Sequence, residues 1–296
     1  NQREHHTKVN FIDEYKKLTG IGHDRGSKII LQVGYGGAFT WFNTGQRIIW
    51  GPSAVPNKLT NVTPKEMTKD EINILINSFG DAALRAKKSG FDGVEIHGAH
   101  GYMLNTFLAP YFNQRTDEYG GSAENRARIL VEIYENARAK TGRDFPILMK
   151  LNCSDFMTDK GFTFEECKAL CRKLADKGID AIDISGGPVF RAPKPDKDPS
   201  GFTEDFIGRE SYFAGYARQI ADTIDVPVIL VGGNRSTGVM EDILNSSRIE
   251  YMALSRPLLS EPDLVKKWEK DRNYKPRCTS CNKCFHDDGN DCDLDR

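Results

Sequence analysis

His97, His100 and Tyr102 fall within six residues of one another, in the stretch VEIHGAHGYM of a chain that has only six histidines. Imidazoles at the end of a strand, three residues apart, can converge on one ligand. As hydrogen-bond donors they would hold a carbonyl or nitro oxygen and stabilise negative charge developing there. A neighbouring phenol could then deliver a proton. As metal ligands they would need a third His, Asp, Glu or Cys, and the other histidines, His5, His6, His23 and His286, stand away from any strand end. A metal-dependent hydrolase built on His97 and His100 is therefore the rival chemistry, and no metal ligand set is assigned.

Two other places carry chemistry. Lys150 lies inside the otherwise apolar run PILMKLN, where an unpaired charge would be expensive, so it needs an anionic partner. The runs VGGN and SRP end consecutive strands and bring Gly232, Gly233, Ser255 and Arg256 to the starts of helices. Backbone N–H groups in such turns, with an arginine beside them, suit a phosphate. The one candidate for a dinucleotide turn, GYGGAF, has Phe39 in place of the third glycine, which argues against a Rossmann nucleotide site.

The elements that must position these residues follow a βαβ rhythm from residue 28 onward. The strands are KIILQVGY, FDGVEIHG, FPILMKLN, IDAIDISGG, VPVILVGGN and IEYMALSRP. Thr68 with Glu71, and Thr163 with Glu166, are capping boxes that open helices. Ile72, Leu75, Ile76, Phe79, Ala83 and Ala86 form one helical stripe, and Gly90 ends it. The strands read as continuous apolar runs, the pattern of a parallel sheet covered on both faces.

Polar residues or glycines occur at every strand end: Gln32, His97, Lys150, Gly186–Gly187, Gly232–Gly233 and Ser255–Arg256. An open doubly wound sheet uses mainly one crevice, whereas a barrel uses the C-terminal ends of many strands. The expected fold is therefore α/β, a (β/α)8 TIM barrel. Barrels bind phosphate after strands seven and eight, so VGGN and SRP mark those two. The first two βα units are then missing from the sequence, and residues 1–275 form the barrel ahead of a Cys-containing tail, 276–296.

The chain has 296 residues, 28% of them charged, and a net charge of −1, so no field draws it to nucleic acid or an anionic membrane. Its longest apolar runs are strand-sized and its start is polar; no membrane segment or signal peptide is expected, and the default address is cytoplasmic. A homo-oligomer is compatible with this composition. Cys167 and Cys171, with Leu170 and Leu174, read as core thiols on a helix face. Cys278, Cys281, Cys284 and Cys292 have the spacing C-x2-C-x2-C-x7-C.

With these residues in view, the chain resembles the old yellow enzyme family, the flavin-dependent ene-reductases. The segment DGVEIHGAHGYMLNTFLAPYFNQRTDEYGGSAENRARIL is similar to the family's most distinctive stretch, and KIILQVGYGG, GPSAVP, LMKLNCSDF, VILVGGN and ALSRPLLSEPDLVKKW follow in order. The resemblance implies bound FMN, reduced by NADH or NADPH, and a small-molecule activated alkene as the substrate that FMN then reduces. It implies that His97 and His100 bind the substrate oxygen, with Tyr102 as proton donor; the histidine pair is the bacterial variant. It further implies that Gln32 and Lys150 contact the flavin ring and that Gly232, Gly233, Ser255 and Arg256 hold its phosphate. Lys150 stands where many members have arginine, Ser255 where glycine is usual, and Tyr35 where histidine is frequent. Cluster-bearing relatives use C-x2-C-x3-C and continue into further domains, so reduced thiols are expected in the tail rather than an iron–sulfur cluster. A truncated, non-catalytic barrel is the second rival.

Overall fold

Six strands pair in parallel in the order in which they occur along the chain, which is the topology of a singly wound β/α barrel and not of a doubly wound sheet. The computed structural model describes residues 11–40, 47–157, 159–187, 209–281, 283–284 and 291–295. The strands are β1 (Ile30–Val33), β4 (Gly93–Gly98), β5 (Ile147–Asn152), β6 (Ala181–Ser185), β7 (Val228–Val231) and β8 (Ile249–Ala253), with β1 and β8 at the edges. Two short strands, β2 (Trp50–Gly51) and β3 (Lys65–Glu66), pair by themselves in the first βα connection.

Local sequence explains the helices that connect them. In the helix Lys69–Lys88, the Thr68 side chain accepts from Glu71 N–H while the Glu71 carboxylate accepts from Thr68 N–H, the reciprocal box read from the sequence. Thr163 and Glu166 do the same for Phe164–Asp176. Gly90 follows the first of these helices at φ +81°, a conformation that costs glycine nothing. The predicted stripe from Ile72 to Ala86 is buried against the helix Ala123–Thr141 and the sheet, as are Cys167, Leu170, Cys171 and Leu174. No described helix is long and apolar enough to cross a membrane.

The two faces of the sheet differ, and here the structure departs from the continuous apolar runs expected. Val94, Ile96, Ile147, Met149, Leu151, Ile182, Ile184, Val228 and Leu230 belong to the core shared with the helices. The alternate positions face the other way. They carry Gln32, Glu95, His97, Lys150, Asn152, Asp183 and Ser185. Parallel register sets them side by side: Gln32 opposite Glu95, His97 opposite Lys150, Lys150 opposite Asp183, and Asn152 opposite Ser185. The apolar half of each strand holds the fold together, and the polar half forms a continuous surface from β1 to β6.

Candidate active site

His97 is the centre of an aromatic cluster at the end of β4. Its ring centroid lies 5.2 Å from that of His100 and 5.1 Å from that of Tyr102, and Phe39 closes the far side of Tyr102 at 5.3 Å. The three residues singled out in the sequence are thus brought together. Nδ1 of His97 is buried with no hydrogen-bond partner. Gly34, on the loop after β1, lies close against His97: a Cβ there would sit 3.2 Å from Cβ of His97, a tight contact.

The backbone between these side chains is unusual. His100 and Gly101 both adopt positive φ, +63° and +71°, and for a histidine this left-handed conformation is uncommon. Two buried amides hold it there. His100 N–H donates to Asn152 Oδ1 at 3.2 Å, and Gly101 N–H donates to Asn105 Oδ1 at 2.7 Å. Both amides are anchored on one carboxylate, because Asn105 Nδ2 and Asn152 Nδ2 each donate to Asp155 Oδ1, at 3.0 and 2.8 Å. The other oxygen of Asp155 accepts from Phe162 N–H. Nε2 of His100 lies 2.6 Å from Ser185 Oγ at the end of β6.

Electrostatics keep the imidazoles neutral. Burial, and then the positive charge of Lys150, push His97 down to about 4. His100 is pushed well below its ordinary value by burial, by His97 and by Lys150. Neutral imidazole can donate from one nitrogen without carrying charge. Burial raises Tyr102, so its phenol keeps its proton. Among the described residues no three His, Cys, Asp or Glu side chains converge to hold a metal ion, so His97 and His100 gain no third ligand there. His23 bonds Asp92 at the N-terminal end of β4, while His5, His6 and His286 lie outside the described residues.

Lys150 has the anionic partner its burial requires, and it is a residue of the chain: Nζ bonds Asp183 Oδ2 on the next strand. Gln32 Nε2 donates to Glu95 Oε1 at 2.5 Å. Gly232 and Gly233 make the turn after β7 at φ +118° and +74°. A Cβ on either would lie 2.7 Å from the Tyr212 ring. Asn234 Nδ2 donates to Leu230 O and to Ala253 O, which ties the ends of β7 and β8 together. Arg256 follows β8 and donates from Nη2 to Tyr212 Oη at 3.1 Å. The tail docks on the same loops: Arg235 donates to Ser280 Oγ at 2.6 Å, and the free thiols of Cys278, Cys281, Cys284 and Cys292 line one hollow with Arg256.

Residues 5–275 match the family described as NADH:flavin oxidoreductase / NADH oxidase. The chain belongs to that family. It is 35% identical over 275 residues to an NADH oxidase of Thermoanaerobacter brockii, covering 92% of this chain and 41% of that protein. It is 32% identical over 284 residues to a cinnamate reductase of Clostridium sporogenes, covering 92% of this chain and 43% of the other. The chain thus spans about two fifths of these curated relatives. An old yellow enzyme homologue from Zymomonas mobilis superposes with a TM-score of 0.72 at 24% identity, over 91% of this chain and 74% of that one, and shares the barrel fold. Membership in this flavin oxidoreductase family is what the ordered motifs of the sequence implied.

Sequence reasoning missed Ser185, Asn152, Asn105, Asp155 and Tyr212. Asn152 and Ser185 could have been found from parity, each being two residues beyond an inward-facing Lys150 or Asp183. Tyr212 follows residues 188–208, which lie outside the described residues, and carried no signal.

The depressed His97 has a consequence for stability. The unfolded chain takes up a proton near the ordinary value of 6.5, whereas the folded state refuses it until about 4. Stability is therefore complete above pH 6.5 and falls as pH drops from there to about 4, by roughly 3 kcal/mol for a shift of this size. In urea unfolding of the parent and of His97→Gln across this range, the variant should lose that part of the acid slope. Identical slopes would show that His97 is not buried neutral.

Proposed function

We propose that this chain is the FMN-binding barrel of an NAD(P)H-dependent oxidoreductase that reduces the carbon–carbon double bond of α,β-unsaturated carbonyl compounds or related activated alkenes. The observation that carries the reading is the grouping of two neutral imidazoles and a protonated phenol at one strand end, beside a polar inner face that carries Lys150. The similarity to a cinnamate reductase supports an alkene conjugated to an electron-withdrawing group. The residues present fit FMN. Gly232 and Gly233 turn the backbone through positive φ beneath the Tyr212 ring, so a phosphate reaches their N–H groups where that ring gives way, and Arg256 supplies a charge-assisted fork. Gln32 and Lys150 offer N–H donors on the inner face for the polar edge of the ring, while the phosphate would be held by Gly232, Gly233, Ser255 and Arg256. An arriving phosphate competes with the Tyr212 hydroxyl for Arg256.

When bound, FMN supplies the hydride chemistry, taking hydride from a reduced nicotinamide and giving it to the alkene carbon β to the activating group. The chain's own residues do the rest. His97 and His100 donate to the substrate oxygen and stabilise the negative charge it gains; a removed donor of this kind costs about 3–4 kcal/mol. Because both rings are neutral, this stabilisation does not depend on a protonation event near neutral pH. Ser185 fixes the His100 ring through Nε2. Tyr102, kept protonated by burial, donates to the α carbon. Phe39 packs edge-on against the Tyr102 ring, and the Tyr35 carbonyl accepts from Met103 N–H at 3.0 Å, which ties the loop after β1 to the residue that follows Tyr102.

Two measurements test the reading. Arg256→Ala should weaken FMN affinity about 10- to 100-fold, the effect of losing a hydrogen bond to a charged group, while circular dichroism stays that of the parent. Equal FMN dissociation constants by fluorescence quenching would remove Arg256 from the phosphate site. Tyr102→Phe should leave flavin reduction by the nicotinamide nearly unchanged and slow reoxidation by an enone about 10²- to 10⁴-fold, the range for a lost general acid. Stopped-flow absorbance separates the two half-reactions. If both slow equally, Tyr102 is structural and the proton comes from elsewhere.

A further inference from the structure

Gln32 and Lys150 stand at the two ends of one bonded row across the inner face. Gln32 Nε2 donates to Glu95 Oε1, the Glu95 carboxyl meets the Asp183 carboxyl, and Asp183 Oδ2 accepts from Lys150 Nζ. The row crosses β1, β4, β5 and β6, and it holds two carboxyl groups against one ammonium. Lys150 is the cation that acts on both of them. His97, the other titratable group on this face, is neutral. On the far side β7 presents Ile229 and Val231, which are apolar, and β5 presents Leu148.

Asp183 is 4% exposed, and its second oxygen, Oδ1, is buried without any donor when both carboxyls are counted as ionised. Two carboxylates in contact in such a site cannot both keep their charge, because the second is desolvated and repelled with nothing to offset it. One proton placed between them removes the repulsion and satisfies Oδ1 in the same step. The order of the row says which group holds it: Asp183 already faces Lys150, so Asp183 is the carboxylate and Glu95 the acid.

We propose that Glu95 and Asp183 share a single proton, carried by Glu95 and donated to Asp183 Oδ1, and that this pair positions Gln32 and Lys150. Each group then has one defined job. Glu95 accepts from Gln32 on one oxygen and donates from the other. Asp183 accepts from Glu95 and from Lys150. Gln32, having committed one amide N–H to Glu95, keeps its carbonyl oxygen and its second N–H for the site. The row is net neutral, since the one negative charge on Asp183 is matched by Lys150. An electron acceptor lying against it meets a fixed ammonium and no surplus anion. This last consequence rests on the FMN reading; the shared proton itself does not.

The carbonyl stretch of a protonated carboxylic acid, which is separate from that of carboxylates, reads the proton directly in the full chain at neutral pH without flavin. The expected infrared difference spectra show such a band in the parent that is absent from Glu95→Gln and absent from Asp183→Asn, because in the latter Glu95 becomes the partner of Lys150 and ionises. Asp155 is a second buried carboxyl raised by desolvation; any band of its own survives both substitutions and cancels. Glu95→Gln preserves an acceptor for Gln32 and a donor for Asp183, so its thermal midpoint should stay near the parent's, and it decides the matter even if Asp183→Asn fails to fold. A parent without a band that Glu95→Gln removes, or a band that persists in Asp183→Asn, overturns the shared proton. With FMN bound, Glu95→Gln should leave the flavin reduction potential unchanged, since a neutral amide replaces a neutral acid. A rise would mean that a negative charge had been removed, and that Glu95 is ionised in the holoprotein. If the chain takes up no FMN, the flavin reading fails while the infrared result still stands.

Discussion

The left-handed turn at His100–Gly101 is the constraint on which the geometry of the site depends. With His100 at φ +63°, the chain leaves β4, reverses, and brings Tyr102 back beside His97 before the helix Met103–Leu108 begins. A histidine adopts this conformation more readily than most side chains but still at some cost, which its surroundings offset. Asp155 does so at one remove. Its Oδ1 takes both Asn105 and Asn152, and those two amides then have only their carbonyl oxygens to offer the backbone N–H groups of Gly101 and His100. The orientation of each amide is thus set from below, and the turn above is fixed by it.

The inner face imposes a second constraint, because it asks neighbouring groups for opposite charge states. His97 and Lys150 stand opposite each other on adjacent strands. The ammonium disfavours a second positive charge and helps to keep His97 neutral, and on its other side it is ion-paired with Asp183. In a medium of low polarity these effects are stronger than they would be in water. One ion pair thereby makes a neutral donor of one neighbour and leaves a fixed cation on the other side of the same strand pair. Neither state would survive if the strands slipped by one residue, since every inward side chain would turn into the apolar core.

Much of this was legible in the sequence, and the parts that were not have physical reasons. Strand positions, both capping boxes and the helix stripe from Ile72 to Ala86 depend on local spacing, and local spacing can be read. The cluster of His97, His100 and Tyr102 was legible because its members are close in sequence. The Asp155 network was not, because it joins residues 100, 105, 152 and 155 through bonds that no periodicity marks. The two-sided apolar character expected of the strands was wrong on one face: Lys150 stood out as a charge in an apolar run, but Glu95 and Asp183 each interrupt theirs by a single residue, which becomes a pattern with Lys150 only when the register is known. Ser185 was overlooked in favour of the glycines that follow it, although its inward parity matches that of Asp183.

The strand-end glycines also make room for an aromatic ring. A Cβ on Gly186 would lie 2.6 Å from the Phe213 ring, and one on Gly232 would lie 2.7 Å from it. Phe213 is therefore packed against the ends of both β6 and β7, in space that only glycines leave. Its neighbour Tyr212 lies over Gly232–Gly233 and reaches Arg256, while Ser211 bonds Asn234, the residue that ties β7 to β8. Three consecutive side chains thus join the half of the sheet that carries the imidazoles to the half that carries the arginine. A methyl group added at Gly186 would therefore have to displace the Phe213 ring, the neighbour of the Tyr212 that reaches Arg256, although Gly186 itself touches neither Tyr212 nor Arg256.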